Sequence, residues 1–593
     1  MVTDSWQTIA ASKRAHNAAL IPTEWLLPSP PSSEVRNVID VPRTCGILTD
    51  KEVEITEKYA VSGLVAEIAK GTYSAVEVTT AFCKRAAIAQ QLTNCLTEVF
   101  FDRAIERAKE LDEHYAKTGK TVGPLHGLPV SLKDQIEIKG TDFTMSYVGW
   151  VGKVAEHDAV IAELLLKQGA VLYVRTNMSQ GLWFGEGNNN VFGRTLNPFN
   201  RNLTCGGSSG GEGALIGMRG SLLGVGSDVG GSVRIPAAYQ GLYGLRPSYC
   251  RIPYCKTSNS SEGESDIREI VRSVLGPLTT SLDGLKLFVQ SVLAASPWEY
   301  DPWTPRMPWS HEAYSLRDHG GEGGKLCFAI MWDDGVVKPV APYTRALEET
   351  KKALLAAGHE VIDWEPFKSA EARDIISAVF NADGGVSAAR QGDVHLYPRS
   401  PLHPNEFVGP GRFPPDIMFP HLHYPARDIR HQLSLSGEPQ LGAVLSRTAS
   451  ELGVYDFFAL CHRRTGFIKD ALDHWNGTVS RTGTGRPVDG VIAPASACAP
   501  SRHDAPMYIG YTSFSNLADY ATAIIPVTQV DPAVDVTPPA HEFRNEQDKF
   551  NYEQYDPEYF RDAPISLQVI GKKYEEEAVI RMTEIVASAL GKI

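Results

Sequence analysis

Three short segments constrain this chain most: SLKDQ at residues 131–135, CGGSSGGEGAL at 205–215 and GSDVGGSVR at 226–234. The first ends an apolar run at Lys133, and the other two are dense in glycine and serine. Glycine-rich stretches let the backbone turn tightly and approach another group closely. Any fold for this chain must therefore bring strands and helices together around such turns, and the lysine and serines are candidates for chemistry.

Lys133 has the setting of a base rather than of a surface charge. A serine hydroxyl becomes a nucleophile only when a neighbouring base takes its proton. A lysine can be that base only when it is neutral, and burial lowers its pKa. The preceding LHGLPVSL reads as a buried strand, because Leu128, Val130 and Leu132 have small or apolar neighbours. Although most lysines are solvated, this pattern favours a serine hydrolase in which lysine replaces histidine.

The segment around Ser232 has the composition of an oxyanion hole. Acyl transfer needs N–H donors that point at the developing oxyanion. Two glycines directly before Ser232 allow several N–H groups to turn inward. Val229, Gly230, Gly231 and Ser232 are the candidate donors. An ordinary glycine turn between a strand and a helix would also explain the segment.

The segment around Ser208 permits a second interpretation. Residues 206–210 fit the pattern G-x-S-x-G, the nucleophile elbow of α/β-hydrolases, with Ser208 or Ser209 as the nucleophile of an esterase. An elbow follows a buried strand, whereas residues 196–202, LNPFNRN, are polar and rich in turn formers. No Lys-Ser/Thr pair completes a phosphate loop. The elbow is the weaker of the two hydrolase interpretations.

The lysine and the two serines resemble the Ser–Ser–Lys triad of the amidase signature family. Lys133 precedes Ser208 by 75 residues, and Ser208 precedes Ser232 by 24. The resemblance runs from VGPLHGLPVSLKDQ through CGGSSGGEGALIG to GSDVGGSVRIPAAYQGLYGLRPS. The terminal segments SWQTIAASKR and APISLQVIG are similar to fungal acetamidase-type amidases. The resemblance to this family covers nearly the whole chain and is strongest over residues 120–250.

The resemblance implies both a fold and an activity. The fold is α/β, with a mixed, mainly parallel sheet of about eleven strands and helices on both faces. The activity is hydrolysis of small carboxylic amides to a carboxylate and ammonia or an amine, without a cofactor. A further alternative is an amidotransferase subunit that works with a partner protein. Which amide is the natural substrate stays open.

The resemblance also implies a role for each motif residue. Ser232 is the nucleophile, Ser208 relays its proton to neutral Lys133, and the peptide bond before Ser208 is cis. The oxyanion lies on the N–H groups of residues 229–232. Three further residues hold these loops by hydrogen bonds: Ser209, Asp228 and Arg234.

Two regions are candidates for the substrate pocket. The resemblance implies that Leu182, Trp183 and Phe184 lie near the acyl group, although packing in the core would explain these apolar residues equally well. The second region is a proline- and aromatic-rich stretch within residues 385–450, which we expect to form a pocket wall or lid. Four histidines in this region could bind zinc: His403, His421, His423 and His431. The triad needs no metal, however, and we expect none.

Domain organisation follows from composition along the chain. Residues 1–48 are punctuated by prolines and predict an extended arm, and residues 49–593 predict a single catalytic domain. The pattern is helical from Leu48 to Lys120, and strands and helices alternate from Leu128 onwards. One later unit repeats this alternation, with LCFAIMWDDG and HEVIDWEP as strands around the helix YTRALEETKKALLAAG.

Bulk properties narrow the partners and the compartment. The net charge is −13 and no lysine/arginine cluster occurs, which argues against a nucleic-acid partner. Nine scattered cysteines without a C-x-x-C pair favour a reducing, cytoplasmic setting. The first residues lack the apolar core of a signal peptide, and no apolar run reaches the ~18 residues of a membrane span. A homodimer is expected only by analogy with relatives.

Overall fold

The computed structural model describes residues 5–182, 184–258, 271–380, 382, 432–441 and 452–593. Eleven strands of these residues form one sheet. The strands are β1 (Leu96–Val99), β2 (Pro129–Lys133), β3 (Val171–Thr176), β4 (Leu223–Asp228), β5 (Tyr243–Arg246), β6 (Val274–Thr279), β7 (Cys327–Ile330), β8 (Glu360–Asp363), β9 (Gly490–Pro494), β10 (Thr522–Gln529) and β11 (Pro564–Ile570).

Helices pack around this sheet and fill the connections between strands. They are α1 (Trp6–Ala19), α2 (Val41–Thr44), α3 (Asp50–Glu57), α4 (Val61–Ala69), α5 (Ala75–Thr93), α6 (Phe101–Thr118), α7 (Val160–Lys167), α8 (Gly210–Gly217), α9 (Arg234–Tyr239), α10 (Leu282–Ala294), α11 (His311–Tyr314), α12 (Ala341–Ala356), α13 (Ser369–Phe380), α14 (Val454–Gly477), α15 (Gly510–Ala518), α16 (Glu546–Glu553) and α17 (Glu576–Ala589).

The sheet is mixed, and its strand order is β1-β3-β2-β4-β6-β5-β10-β11-β9-β7-β8. The α/β class, the mixed pairing and the number of strands are confirmed. Parallel pairing was expected to dominate, but it is confined to β2 with β3 and β4 and to β7 with β8 and β9. The other neighbouring pairs are antiparallel. The sequence patterns revealed the helix-connected units, which favour parallel pairing, whereas β5, β6, β10 and β11 lie outside them.

Strand β2 holds Lys133 deep inside the sheet. It lies between β3 and β4 and runs parallel to both. Every residue of β2 is buried, as expected for a parallel strand that is covered on both faces. Since side chains alternate along a strand, Ser131 and Lys133 share one face and Leu132 occupies the other. The predicted strand over LHGLPVSL is thus confirmed at residues 129–133.

Most of the other predicted elements are confirmed, with one addition. The alternation over residues 158–177 gives α7 and β3, and the late unit gives β7, α12 and β8. The stretch from Leu48 to Lys120 holds the expected helices α3 to α6 but also the short strand β1. Four residues are too few to show a periodic pattern in the sequence. Strand β1 is therefore recognised only from its pairing with β3 at the edge of the sheet.

The N-terminal segment is helical over part of the length where an extended arm was expected. Residues 6–19 form α1, whose N-terminus is capped by the Ser5 hydroxyl. Lys13 on this helix is buried, hydrogen bonds to Glu98 and lies 2.8 Å from Asp142. A pair of ion contacts therefore ties α1 to the body of the protein. The prolines that suggested an extended arm come after this helix, at residues 22–42.

Of the region 385–450, the structure describes only residues 432–441. This stretch packs on the loops that follow β2 and β3. Trp150 donates its indole N–H to Gln432 Oε1 at 2.7 Å, and Gln180 donates to Glu438 Oε2 at 3.0 Å. Within the described part of the chain, no helix is long and apolar enough to cross a bilayer.

Replacement of Leu132 by alanine tests how much the stability of the protein depends on the packing of this β2 side chain. Leu132 is fully buried between neighbouring strands. The cavity left by Leu132→Ala is expected to lower the free energy of unfolding by about 2–5 kcal/mol, measured by urea denaturation. Leu355→Ala is the control, because Leu355 is 51% exposed on α12 and should change stability by less than about 0.5 kcal/mol. Equal effects of the two variants would contradict this packing.

Candidate active site

Lys133 lies at the carboxyl end of β2 and is completely buried. Its Nζ is 2.6 Å from Ser208 Oγ and 2.9 Å from Ser227 Oγ. Burial lowers the pKa of Lys133 to about 7, against the opposing charges of Asp228 and Glu212. The amine is therefore neutral in a large fraction of molecules near neutral pH, which is the state that a general base requires.

Ser208 and Ser209 form the turn that leads into α8. The Gly207–Ser208 peptide bond is cis, as the family resemblance implied. The carbonyl oxygen of Ser208 accepts a hydrogen bond from the Ser179 N–H at 3.3 Å. Ser209 joins this turn to β4, because its hydroxyl exchanges 3.3 Å hydrogen bonds with the backbone of Ser227. Ser209 N–H also donates to the Ser232 carbonyl at 3.3 Å, so one residue links both serine segments.

Ser232 is the most accessible of the three predicted triad residues. Ser232 is 9% exposed, whereas Ser208 is 2% exposed and Lys133 is 0% exposed. This order of exposure is the one that a relay from Ser232 through Ser208 to Lys133 would require. Ser227, whose hydroxyl contacts Lys133, also donates a short hydrogen bond to Gln135 Oε1.

The loop before Ser232 contains the N–H groups that the sequence predicted as oxyanion-hole donors. Gly231 N–H donates to Asp228 Oδ1 at 2.8 Å. Within the described chain, the N–H groups of Val229, Gly230 and Ser232 have no acceptor. Gly231 has φ +128°, and a Cβ there would lie 2.5 Å from Thr512 Oγ1, so only glycine fits.

Asp228 and Arg234 hold this loop from behind as a buried ion pair. Arg234 Nε and Nη2 lie 3.0 and 3.1 Å from the two Asp228 oxygens, and both residues are fully buried. Burial alone would raise the pKa of Asp228, but the Arg234 guanidinium holds it well below its usual range. Asn516 and Gln568 accept the remaining guanidinium N–H groups at 2.6 and 3.2 Å. The carboxylate therefore stays ionised and fixes the Gly231 N–H.

A second buried carboxylate, Glu212, lies on α8. It accepts hydrogen bonds from Ser131 Oγ at 2.6 Å and from Thr176 Oγ1 at 2.8 Å. Burial raises the pKa of Glu212 to about 7, while these hydroxyls and the charge of Lys133 oppose the rise. Asp228 and Glu212, the two carboxylates whose charges act on Lys133, thus have pKa values that are shifted in opposite directions.

The structure brings most of the predicted site residues together. Lys133, Ser208 and Ser209 are joined by the contacts above, and Ser232, Asp228 and Arg234 form the neighbouring loop. Sequence reasoning missed five residues that complete the arrangement: Gln135, Glu212, Ser227, Thr512 and Asn516. The first three stand inside the motif segments, where a polar residue in a buried strand or a glutamate in GGEGAL was a usable signal. Thr512 and Asn516 come from α15, far along the chain, and carried no such signal.

The predicted pocket residues lie on the loop that follows β3. Leu182 and Phe184 are half-buried, and Trp183 lies outside the described residues. Ser179 on this loop donates its hydroxyl to the Phe184 carbonyl at 2.5 Å and its N–H to the Ser208 carbonyl. The loop is therefore attached directly to the serine turn.

The proposed histidine cluster lies outside the described residues. In the part of the chain that the structure covers, no group of three or more histidine, cysteine, aspartate or glutamate side chains could hold a metal ion.

A nucleophile elbow requires a strand that leads directly into the serine turn. Residues 196–209 contain only isolated bridges, from Leu196 to Thr204 and from Leu203 to Arg502. Strand β3 ends at Thr176, well before Ser208. The turn around Ser208 therefore lacks the strand–turn–helix geometry of an elbow.

Comparisons with known proteins identify the family. A family model described as amidase matches residues 77–580. The chain is 40% identical to an acetamidase of Emericella nidulans and 39% identical to an acetamidase of Aspergillus oryzae, with 99% and 100% of each chain covered.

A solved structure of a fatty acid amide hydrolase has a similar fold. It superposes with a TM-score of 0.84 at 30% identity, and the match covers 99% of this chain and 95% of that one. Full-length similarity to amidases in both sequence and fold leads to one conclusion. The chain belongs to the amidase family and is an enzyme that hydrolyses amide C–N bonds.

Proposed function

We propose that this enzyme hydrolyses small carboxylic amides by using Ser232 as nucleophile, Ser208 as proton relay and Lys133 as base. The observation that carries this proposal is the 2.6 Å contact between a fully buried Lys133 Nζ and Ser208 Oγ. A lysine in that position is a base only because burial removes its charge near neutral pH. The elbow esterase and the partner-dependent amidotransferase remain outcomes of the tests below.

In the first half-reaction, neutral Lys133 takes the Ser208 proton as Ser208 takes the proton of Ser232. Ser232 Oγ forms a bond to the amide carbon, and the carbonyl oxygen becomes an oxyanion. The free N–H groups in the Val229–Ser232 loop stabilise that charge, each by about 100- to 1,000-fold in rate. Gly231 contributes by its conformation, since its own N–H donates to Asp228 in the resting site.

To complete this first half-reaction, the relay runs in reverse; in the second half-reaction, it operates again with water. The proton returns through Ser208 to the leaving nitrogen, the C–N bond breaks, and ammonia or an amine departs. The acyl group stays on Ser232 as an ester. Water then attacks this ester, and its proton passes to Ser232 as the carboxylate leaves.

We also propose that residues 49–593 act as one catalytic domain in a reducing compartment. One continuous sheet uses strands from residue 96 to residue 570, which supports a single unit. All nine cysteines are free thiols, which favours the cytoplasm. For the substrate, the acetamidase relatives support short aliphatic amides.

Replacement of the three triad residues tests the assignment of roles. Ser232→Ala is expected to lower kcat/KM by about 10⁴-fold or more, because no covalent intermediate can form. Ser208→Ala and Lys133→Ala are expected to lose about 10²- to 10⁴-fold through the broken relay. The matched control is Ser291→Ala, because Ser291 is a buried serine on α10 outside the site. Normal turnover by the Ser232 variant, with loss in a histidine variant, would favour the elbow esterase.

The pH dependence of kcat/KM tests the neutral lysine. Since burial lowers the pKa of Lys133 to about 7, the active amine form is lost as pH falls through this value. We expect kcat/KM to fall about tenfold per pH unit below about pH 6.5 and to be level above about pH 8. An ordinary lysine would give a rise that continues to about pH 10, and that result would contradict the proposal.

A graded panel of amides tests substrate size. We expect kcat/KM for acetamide and propionamide to exceed that for hexanamide and benzamide by at least about tenfold, because a closed acyl pocket excludes extra methylenes. Phe184→Ala should raise the hexanamide-to-acetamide ratio if this side chain borders the acyl group. An unchanged ratio would remove Phe184 from the pocket. Release of product only after addition of a partner protein would favour the amidotransferase.

A further inference from the structure

Glu212 lies in a niche that the sheet provides for a carboxylate. It is completely buried near the start of α8, where its neighbours in sequence are glycines. Each of its oxygens accepts one hydroxyl hydrogen bond, from Ser131 at 2.6 Å and from Thr176 at 2.8 Å. Strand β4 leaves room for it, because a Cβ on Gly224 would stand 1.9 Å from Glu212 Oε2.

The walls of this niche belong to the strand positions around Lys133. Ser131 precedes Lys133 by two residues on β2, so both side chains lie on the same face. Thr176 is the β3 residue paired with Lys133, and Gly224 is the β4 residue paired with Ser131. The carboxylate is thus held on the same face of the sheet as the Lys133 side chain.

The negative charge of Glu212 is balanced differently from that of Asp228. Asp228 forms an ion pair with Arg234. In the described part of the chain, no lysine, arginine or histidine lies within ion-pair distance of Glu212, and Lys133 is the cation whose charge acts on it. The other titratable neighbours stay uncharged, since burial raises the pKa of Cys95 to about 12 and that of Tyr173 well above its usual value.

Burial of a carboxylate without a counter-ion costs free energy. The presence of Glu212 therefore calls for a functional explanation. We propose that Glu212 is a positioning residue for Lys133, whose counter-charge keeps the fully buried amine basic enough to take the proton of Ser208. This inference rests on the proposed function, in which Lys133 is the base. Without this counter-charge, burial would act on Lys133 with only the already paired Asp228 to oppose it.

The charges that face Lys133 then fall into two classes. Asp228 exerts the larger opposing charge on Lys133, but it is itself paired with Arg234, and the charge of Arg246 also acts on it. Glu212 retains its effect on Lys133, and the two groups lose protons in the same range because burial brings the pKa of each to about 7. Glutamine at position 212 would still hydrogen bond to two hydroxyls but would carry no charge, so it would remove the electrostatic effect and keep the packing.

The test is the pH profile of Glu212→Gln, measured with two readouts. The first is kcat/KM for acetamide. The second is the rate constant for covalent labelling by a fluorophosphonate, in which the serine oxygen bonds to phosphorus, fluoride leaves and the base takes the proton. We expect the acidic limb of both profiles to shift by about one pH unit to lower pH, because loss of a neighbouring opposite charge lowers the pKa of a lysine.

Two further variants separate this effect from loss of stability. Thr176→Val removes one hydroxyl that stabilises the carboxylate, so the acidic limb is expected to shift in the same direction by less. Glu576→Gln is the matched control, because Glu576, on α17, is also fully buried but has Arg251 as its counter-charge. Its acidic limb is expected to coincide with that of the wild type, even if its melting temperature falls.

The outcomes distinguish this inference from the proposed function. A wild-type acidic limb in folded Glu212→Gln would overturn the inference, and if that variant does not fold, Thr176→Val with an unshifted limb would do the same. If Lys133→Met abolishes labelling in either case, Lys133 remains the base. Normal labelling in Lys133→Met would overturn the proposed function and this inference together.

Discussion

The burial of a single lysine determines much of how this protein is organised. Lys133 ends a strand that other strands flank on both sides, so its amine is shielded from bulk solvent. Desolvation disfavours the ammonium form by several kcal/mol when no partner compensates. The fold has to supply polar contacts that suit an amine, and Ser208 and Ser227 are those contacts. In the proposed mechanism, this deep burial allows a lysine to act as the base in place of a histidine.

The two buried carboxylates around this lysine do different work because their surroundings differ. Asp228 has a guanidinium partner and stays ionised, and its oxygens hold the Gly231 N–H and the Arg234 side chain. Among the described residues, Glu212 accepts hydrogen bonds from hydroxyl groups alone, and burial brings its pKa close to neutrality. Enzymes commonly perform acid–base chemistry at one pH by placing two similar groups in environments that shift their pKa values in opposite directions. Here the ionised carboxylate supports the backbone of the loop, and the charge of the other one acts on Lys133.

How much of this could be predicted depended on whether residues that meet in space also lie close in sequence. The lysine and both serines stand in short segments of unusual composition, so they and the strand that carries Lys133 were predictable. Helix α1 was missed because the prolines beyond residue 20 dominated the pattern, and the antiparallel centre of the sheet was missed because pairing partners such as β5 and β10 are far apart. Thr512 and Asn516 reach the site from a distant helix, and no local pattern marks such contacts.

Direct titration of the Lys133 amine tests whether this lysine is neutral near physiological pH. Lysine carrying ¹³C at the ε position would be incorporated into the deuterated protein, and Lys133→Met would identify the signal by its absence. We expect a signal that titrates at a pKa of about 7, separate from lysines that titrate near 10.4. A Lys133 signal that titrates with the surface lysines would contradict the proposed mechanism, because the ammonium could not accept the proton of Ser208.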